Sequence, residues 1–296
     1  MQFLKSIFRR RRQVLAKPLA PRHHTGRGAM FDGLKADPPL AWTVLRHRDG
    51  YLREAALKAL TGPITLSSEL IDIAERLNDW VPEVRVAALD AAHRLFPTAE
   101  PDIVAEAAPY LLSLWGIWQR WDSDGVATVD ALVGQPEIIN RIIHSLEDKR
   151  SRIGPWQLAH LLRHDWIDAH LPHLAQFAVH PQVRKLAFAV VLQGKAKWRS
   201  RFVRSAEEIK YSIEKSTAVF ESRPLVASVD PAALVERGLR DRFAAVRWLA
   251  AGALVENLVE ISDQERTINR LLSDKSRSVR ERGKFLARRE GIAFDG

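Results

Sequence analysis

Five stretches of the chain repeat one short pattern: an acidic or turn-forming residue, a hydrophobic-Arg pair, then small apolar residues at helical spacing. They centre on Arg53 (DGYLREAALKAL), Arg85 (DWVPEVRVAALDAA), Arg184 (HPQVRKLAFAVV), Arg247 (DRFAAVRWLAAGAL) and Arg280 (DKSRSVRERGKFL). The arginines stand 32, 99, 63 and 33 positions apart, which is about one, three, two and one steps of 33. A period of that length is the strongest constraint on the fold. Each unit is one supersecondary element that buries its apolar face only against its neighbours.

From Asp37 onward the apolar spacing predicts helices alternating with short turns. First helices of pairs are expected over 39–47, 67–78, 102–118, 136–146, 167–178, 206–217, 231–239 and 263–272. Second helices are expected over 51–60, 82–95, 124–133, 153–163, 182–193, 219–228 (a weak pattern), 243–257 and 277–289. Start signals support several of these. Ser205-Ala-Glu-Glu208 and Ser262-Asp-Gln-Glu265 have the form of capping boxes, and Asp230-Pro231 is an N-cap followed by a proline at the first helical position. No period-two strand is read anywhere, so the expected class is all-α, with about seven or eight helical pairs.

The repeat has a physical logic. Ala55, Ala56, Ala87, Ala88, Ala250 and Ala251 allow close helix approach, and Val84, Val246 and Val279 fill the seam. In three copies an aspartate precedes the arginine by six positions: Asp79/Arg85, Asp241/Arg247 and Asp274/Arg280. At these positions the chain resembles the HEAT family of α-solenoids. The resemblance implies a right-handed stack in which turn aspartate and second-helix arginine bond between adjacent units. It spans roughly residues 40 to 290. It departs at Asp49, only four before Arg53, and around 200 to 228, where no hydrophobic-Arg pair occurs and the ladder is expected to be interrupted. The arginines are therefore read as structural ties.

The net charge of +9 is concentrated at one end. Residues 1 to 35 hold nine Lys/Arg against Asp32, and the remainder is nearly neutral. We therefore divide the chain into a basic N-terminal arm, 1–35, and a HEAT-like body, 36–296. In the arm, Phe3, Leu4, Ile7 and Phe8 precede Arg9, Arg10, Arg11 and Arg12, the reverse of the order in a secretory signal. That pattern fits a solvated tail, or a short amphipathic helix touching an anionic membrane surface, nucleic acid or a partner. No run of 18 apolar residues is present, so no membrane-spanning helix is expected. The lack of cysteine removes disulfides and thiolate chemistry and fits a cytoplasmic protein.

Three segments deviate from the repeat. Trp115, Trp118 and Trp121 recur every three residues ahead of Asp122 and Asp124. Aromatics beside a carboxylate can hold a cationic or base-like ligand. Here the chain is distantly similar to HEAT-like alkylpurine DNA glycosylases, a resemblance that would make Asp122 and Asp124 the catalytic candidates beside Trp121. Trp198 and Arg201 would form the opposite wall and a phosphate contact. The competing reading is helix packing by the tryptophans and capping by the aspartates. A second segment offers His160, His164, Asp165, Asp168, His170 and His173, with His160 and His164 one turn apart. A turn near Asp165 separates them, so no metal is assigned. The third is the basic band Lys195, Lys197, Arg199, Arg201 and Arg204 with Trp198, suited to phosphates or to an acidic protein.

Function follows as two expectations. The first is a non-enzymatic scaffold or adaptor presenting a concave helical surface to a protein partner, without a cofactor. Its binding candidates are Trp118, Trp121, the 195–204 band and Arg9 to Arg12. The second is a DNA-binding protein, and an alkylpurine glycosylase if it is an enzyme.

Overall fold

The computed structural model describes residues 27–37, 39–114, 118, 120–147, 153–204, 216–226, 230–260 and 263–294. The protein is mostly helical, with a single two-stranded sheet among the described residues. Residues 1–61 and 62–296 cluster into two units, each described by itself.

In the first unit, α1 (Arg27–Ala36), α2 (Leu40–Val44) and α3 (Gly50–Ala59) pack on one another. Residues 27 to 35, counted with the arm in the sequence, thus form a helix against α2 and α3; Arg9 to Arg12 lie outside the described residues. Asp49 accepts from the N–H of Tyr51 and caps α3, while Arg53 Nη1 donates to the carbonyls of His47 (2.8 Å) and Arg48 (3.0 Å). Arg53 is 2% exposed. The turn is tied six residues upstream of the arginine, as in the other copies, although the aspartate has moved to the cap position.

Among the described residues the second unit holds six helical pairs: α4 (Ser67–Arg76) with α5 (Pro82–Leu95), α6 (Pro101–Leu114) with α7 (Ser123–Val133), and α8 (Pro136–Glu147) with α9 (Gly154–Leu161). They continue with α10 (Leu171–Phe177) and α11 (Pro181–Gln193), α12 (Pro231–Gly238) and α13 (Ala244–Val255), and α14 (Gln264–Leu272) and α15 (Arg277–Glu290). First helices pack on first helices and second on second: α4 on α6, α6 on α8, α5 on α7, α9 on α11, α11 on α13 and α13 on α15. Small residues permit the approach. Ala87, Ala88, Ala91 and Ala92 of α5 are buried, as are Ala250 and Ala251 of α13, and Val84, Val246 and Val279 are all at most 1% exposed. A Cβ on Gly238 would lie 2.4 Å from the Phe188 ring, so only glycine fits where α12 crosses α11.

Each repeat arginine closes its own turn. Arg85 Nη1 donates to the Asp79 carbonyl (2.9 Å), Arg184 to Ala178 (2.7 Å), Arg247 to Asp241 (2.8 Å) and Arg280 to Asp274 (2.7 Å). At two junctions the same guanidinium also forks onto the next turn's carboxylate. Arg247 reaches Asp274 at 2.6 and 2.8 Å, and Arg184 reaches Asp241 at 2.8 and 2.9 Å. Both carboxylates also accept from the turn that leads into the following helix, through Ser276 N–H and Phe243 N–H. Fork geometry is the strong form of this bond. It holds the Asp274 carboxyl below its usual range, chiefly through the Arg247 hydrogen bonds.

The region 195–230 corrects the sequence reading. The helix expected over 219–228 is not formed: β1 (Lys195–Arg204) pairs antiparallel with β2 (Ser216–Pro224). Of the helix expected over 206–217, residues 206–215 lie outside the described residues, and 216 and 217 belong to β2. The capping box expected at Ser205 lies outside the described residues. The ladder, expected to be interrupted here, is continuous, because Arg184 and Asp241 meet directly. The 63-residue step between Arg184 and Arg247 is therefore one repeat plus an insertion. The 30 residues from Lys195 to Pro224 leave 33 when removed, the length of the neighbouring step.

Candidate functional site

The hairpin is the largest departure from the helical pairs, and its mounting is specific. Gly194 ends α11 in the left-handed conformation (φ 60°), which glycine adopts without a Cβ penalty, and turns the chain into β1. Leu225 N–H returns to the Gly194 carbonyl at 3.0 Å and closes the base. Ala196 is fully buried there. From β2, Arg223 places Nη1 and Nη2 on the two carboxylate oxygens of Asp168, each at 2.7 Å, and Nη2 also donates to the His164 carbonyl. Val226 N–H supplies a third donor to Asp168 (2.8 Å). Asp168, 2% exposed, thus receives a forked arginine from the insertion, as Asp241 and Asp274 receive one from a neighbouring helix, although Asp168 stands outside the repeat positions.

The clamp borders a polar cluster between α7 and α9. Asp130 of α7 binds Arg163, which also donates Nε to His164 Nε2 (2.9 Å). His164 stacks on Trp166, and His160 lies edge-on to Trp156 with ring centres 4.5 Å apart. Burial drives each ionisation toward neutrality. His160 is pushed down to about 4, first by burial and then by Arg199 and Arg163. His164 is pushed down to about 3 by burial, then by Arg163 and Arg223. Arg163 falls to about 10 and the Asp130 carboxyl rises, both chiefly through desolvation. The histidine-rich segment is spent on packing, on the hairpin clamp and on a His173–Glu147 contact (2.8 Å). Among the described residues no three candidate ligands converge on a metal position.

On the hairpin, Lys195 and Lys197 are exposed, and Lys197 Nζ stands 5.0 Å from the centre of the exposed Phe220 ring. Trp198 is half-buried opposite Glu221, and Arg199 is half-buried opposite Phe220. Arg201 and Arg204 continue the strand opposite Val219 and Ser216. The tryptophan segment stands elsewhere. α6 is described as far as Leu114, whose carbonyl accepts Trp118 N–H at 2.9 Å; Trp118 and Trp121 meet edge-to-face in the following loop at 5.1 Å. Trp115 lies outside the described residues. Arg120 N–H binds Asn78 Oδ1 at 2.8 Å, which sets this loop beside the turn between α4 and α5. Asp122 Oδ1 accepts from Gly125 N–H at 2.8 Å as the N-cap of α7, and Asp124 is exposed in the first turn.

These loops join first to second helices, whereas the hairpin joins a second helix to the next first helix. Trp121 and Asp122 thus mark the start of α7, and Asp130, nearest the hairpin clamp, lies toward its end, about 12 Å along the axis at 1.5 Å per residue. A cleft of about 720 Å³ that the sequence reading missed opens between α10 and α12. Phe177 and Val179 line it with Arg237, whose guanidinium lies 4.2 Å over the Phe177 ring. Its lining comes from two stretches, 175–188 and 233–242, and no local pattern announces it.

No protein-family model matches the chain, and no curated protein matches it. Among the described residues no helix is long and apolar enough to cross a membrane.

Proposed function

We propose that the protein is a non-enzymatic binding scaffold: a right-handed HEAT-like α-solenoid that presents its helical surface and an inserted basic hairpin to a protein partner. One observation carries this reading. The hairpin is looped out of an unbroken Arg184–Asp241 junction and fixed by Arg223 to Asp168, an arrangement that holds an exposed cationic-aromatic surface in a set orientation at no cost to the repeat. Fixing the orientation of a surface before contact reduces the entropy lost on binding. Asp122, bound to its own helix as a cap, supports binding over glycosylase chemistry. The cysteine-free composition is the basis for placing the protein in the cytoplasm.

The test is co-purification from the native host with the full chain and with a Lys195→Glu/Lys197→Glu chain. A stoichiometric protein partner retained by the first and lost from the second supports the proposal. Release of methylated purines from DNA that disappears in Asp122→Asn or Asp124→Asn would overturn it in favour of the glycosylase.

A further inference from the structure

The hairpin has one covered edge and one open edge. β1 packs against α9 and α11, β2 pairs with β1, and among the described residues no third strand joins the sheet. Which β2 groups face outward follows from its bonds. Leu225 N–H points to Gly194, and the Val219 carbonyl accepts the Ser200 hydroxyl at 3.3 Å, so both positions face β1. Backbone groups along an antiparallel strand alternate sides. Thr217, Val219, Glu221 and Arg223 therefore bond inward, while Ala218, Phe220 and Ser222 turn N–H and C=O away from β1. Pro224 shares the outward parity; having no N–H, it ends the open edge.

Edge strands are ordinarily defended by charged side chains, above all lysine, by proline or by a bulge. From Ser216 to Arg223 β2 has no lysine, proline or bulge; its charges are Glu221 and Arg223, the latter held by Asp168, and the irregularity of the sheet lies in β1 between Arg199 and Arg201. Thr217, Val219 and Phe220 are good strand formers. The charge beside this edge is positive. Lys197 Nζ stands 5.0 Å from the centre of the Phe220 ring, which sets a cation against the exposed aromatic of the open strand. Glu221 pairs with Trp198 on the opposite face. In a β2–β2 pair the Phe220 face of the second copy would offer Ala218, Phe220 and Ser222 and no acid to answer Lys197, which disfavours self-association.

We infer that the outer edge of β2 docks an extended acidic segment of a partner protein by strand addition. Main-chain bonds at Ala218, Phe220 and Ser222 supply the affinity, and Lys195 and Lys197 supply the preference for acid. The inference rests on the scaffold reading and names the partner's chemistry.

The experiment selects a random-peptide phage library on the full chain and compares binding to a chain carrying Ala218→Pro and Ser222→Pro. These prolines remove two outward N–H groups and spare the bonds to β1. The selected peptides are expected to alternate Asp or Glu with β-branched residues and to lose at least tenfold in affinity on the double-proline chain and on Lys197→Glu. If the prolines lower the thermal midpoint, Lys197→Glu alone decides. Basic or uncharged peptides, equal binding to all chains, failure to select any peptide, or a wild-type dimer that the prolines dissolve would each overturn the inference. A cellular partner held equally by wild-type and double-proline chains overturns it too and leaves the scaffold reading standing. Edge-selected acidic peptides without any cellular partner uphold it and count against the scaffold reading alone.

Discussion

Asp241→Ala tests whether the ladder crosses the insertion. The Asp241 carboxylate takes two guanidinium bonds from Arg184, whose side chain is 8% exposed, and accepts Phe243 N–H at 2.7 Å in the turn before α13. Breaking a buried pair by deleting one partner costs about 3–5 kcal/mol, and losing the turn bond to Phe243 about 1 kcal/mol. Arg184 Nη1 keeps its bonds to the carbonyls of Ala178 and Val179, so the lower part of that range applies. We expect a loss of about 3 kcal/mol, or about 6–12 °C in thermal midpoint for a unit of this size. The assay is thermal and urea unfolding by circular dichroism, with Asp263→Ala as the control for a cap that ties no junction. The control should lose about 1 kcal/mol. Equal losses in the two variants would refute the argument, since the Arg184 fork would then add nothing.

Other perturbations have equally definite outcomes. Arg223→Leu leaves Asp168 buried without its fork, so stability should fall by about 3 kcal/mol and the hairpin base should become protease-sensitive, while Asp168→Asn with Arg223→Leu should recover part of the loss. Gly238→Ala places a methyl on the Phe188 ring and should cost about 1–3 kcal/mol, largely recovered by Phe188→Leu. His160 has a folded pKa of about 4, below its unfolded value near 6.5, so its contribution is fully present above about pH 6.5 and is lost as pH falls toward 4. That window amounts to about 3 kcal/mol, and urea midpoints measured at steps of pH should fall across it, less steeply in His160→Gln. Midpoints flat between pH 6.5 and 4 would contradict the burial of the His160 ring.

The helical pairs were legible because their signals are local: an apolar seam at helical spacing, an N-cap, and an arginine six residues past the turn. The hairpin was written locally as well, in the alternation Lys-Ala-Lys-Trp-Arg-Ser-Arg-Phe, yet the arithmetic of the period concealed it. A 63-residue gap close to two steps of 33 invites a missing pair, and the cations read as a basic band between two expected helices. Asp122 was legible both as a cap and as a catalytic candidate; only the Gly125 N–H bond favours the cap. The Asp168–Arg223 clamp had no local trace, since its partners are 55 residues apart and neither stands in a repeat position. The cleft beside Phe177 depends in the same way on where α10 and α12 come to rest.

The central claim is that the hairpin is an insertion in a regular repeat and carries the binding surface. Its most direct test is thermal unfolding of a chain lacking residues 195–224, with Gly194 joined to Leu225 through one glycine and Asp168→Ser to avoid stranding a carboxylate. The account predicts a single cooperative transition within a few degrees of the Asp168→Ser/Arg223→Leu chain, with unchanged helical circular dichroism, because Arg184 still meets Asp241. Loss of cooperativity or of helical signal would contradict it and make the hairpin part of the fold it is claimed only to ride on.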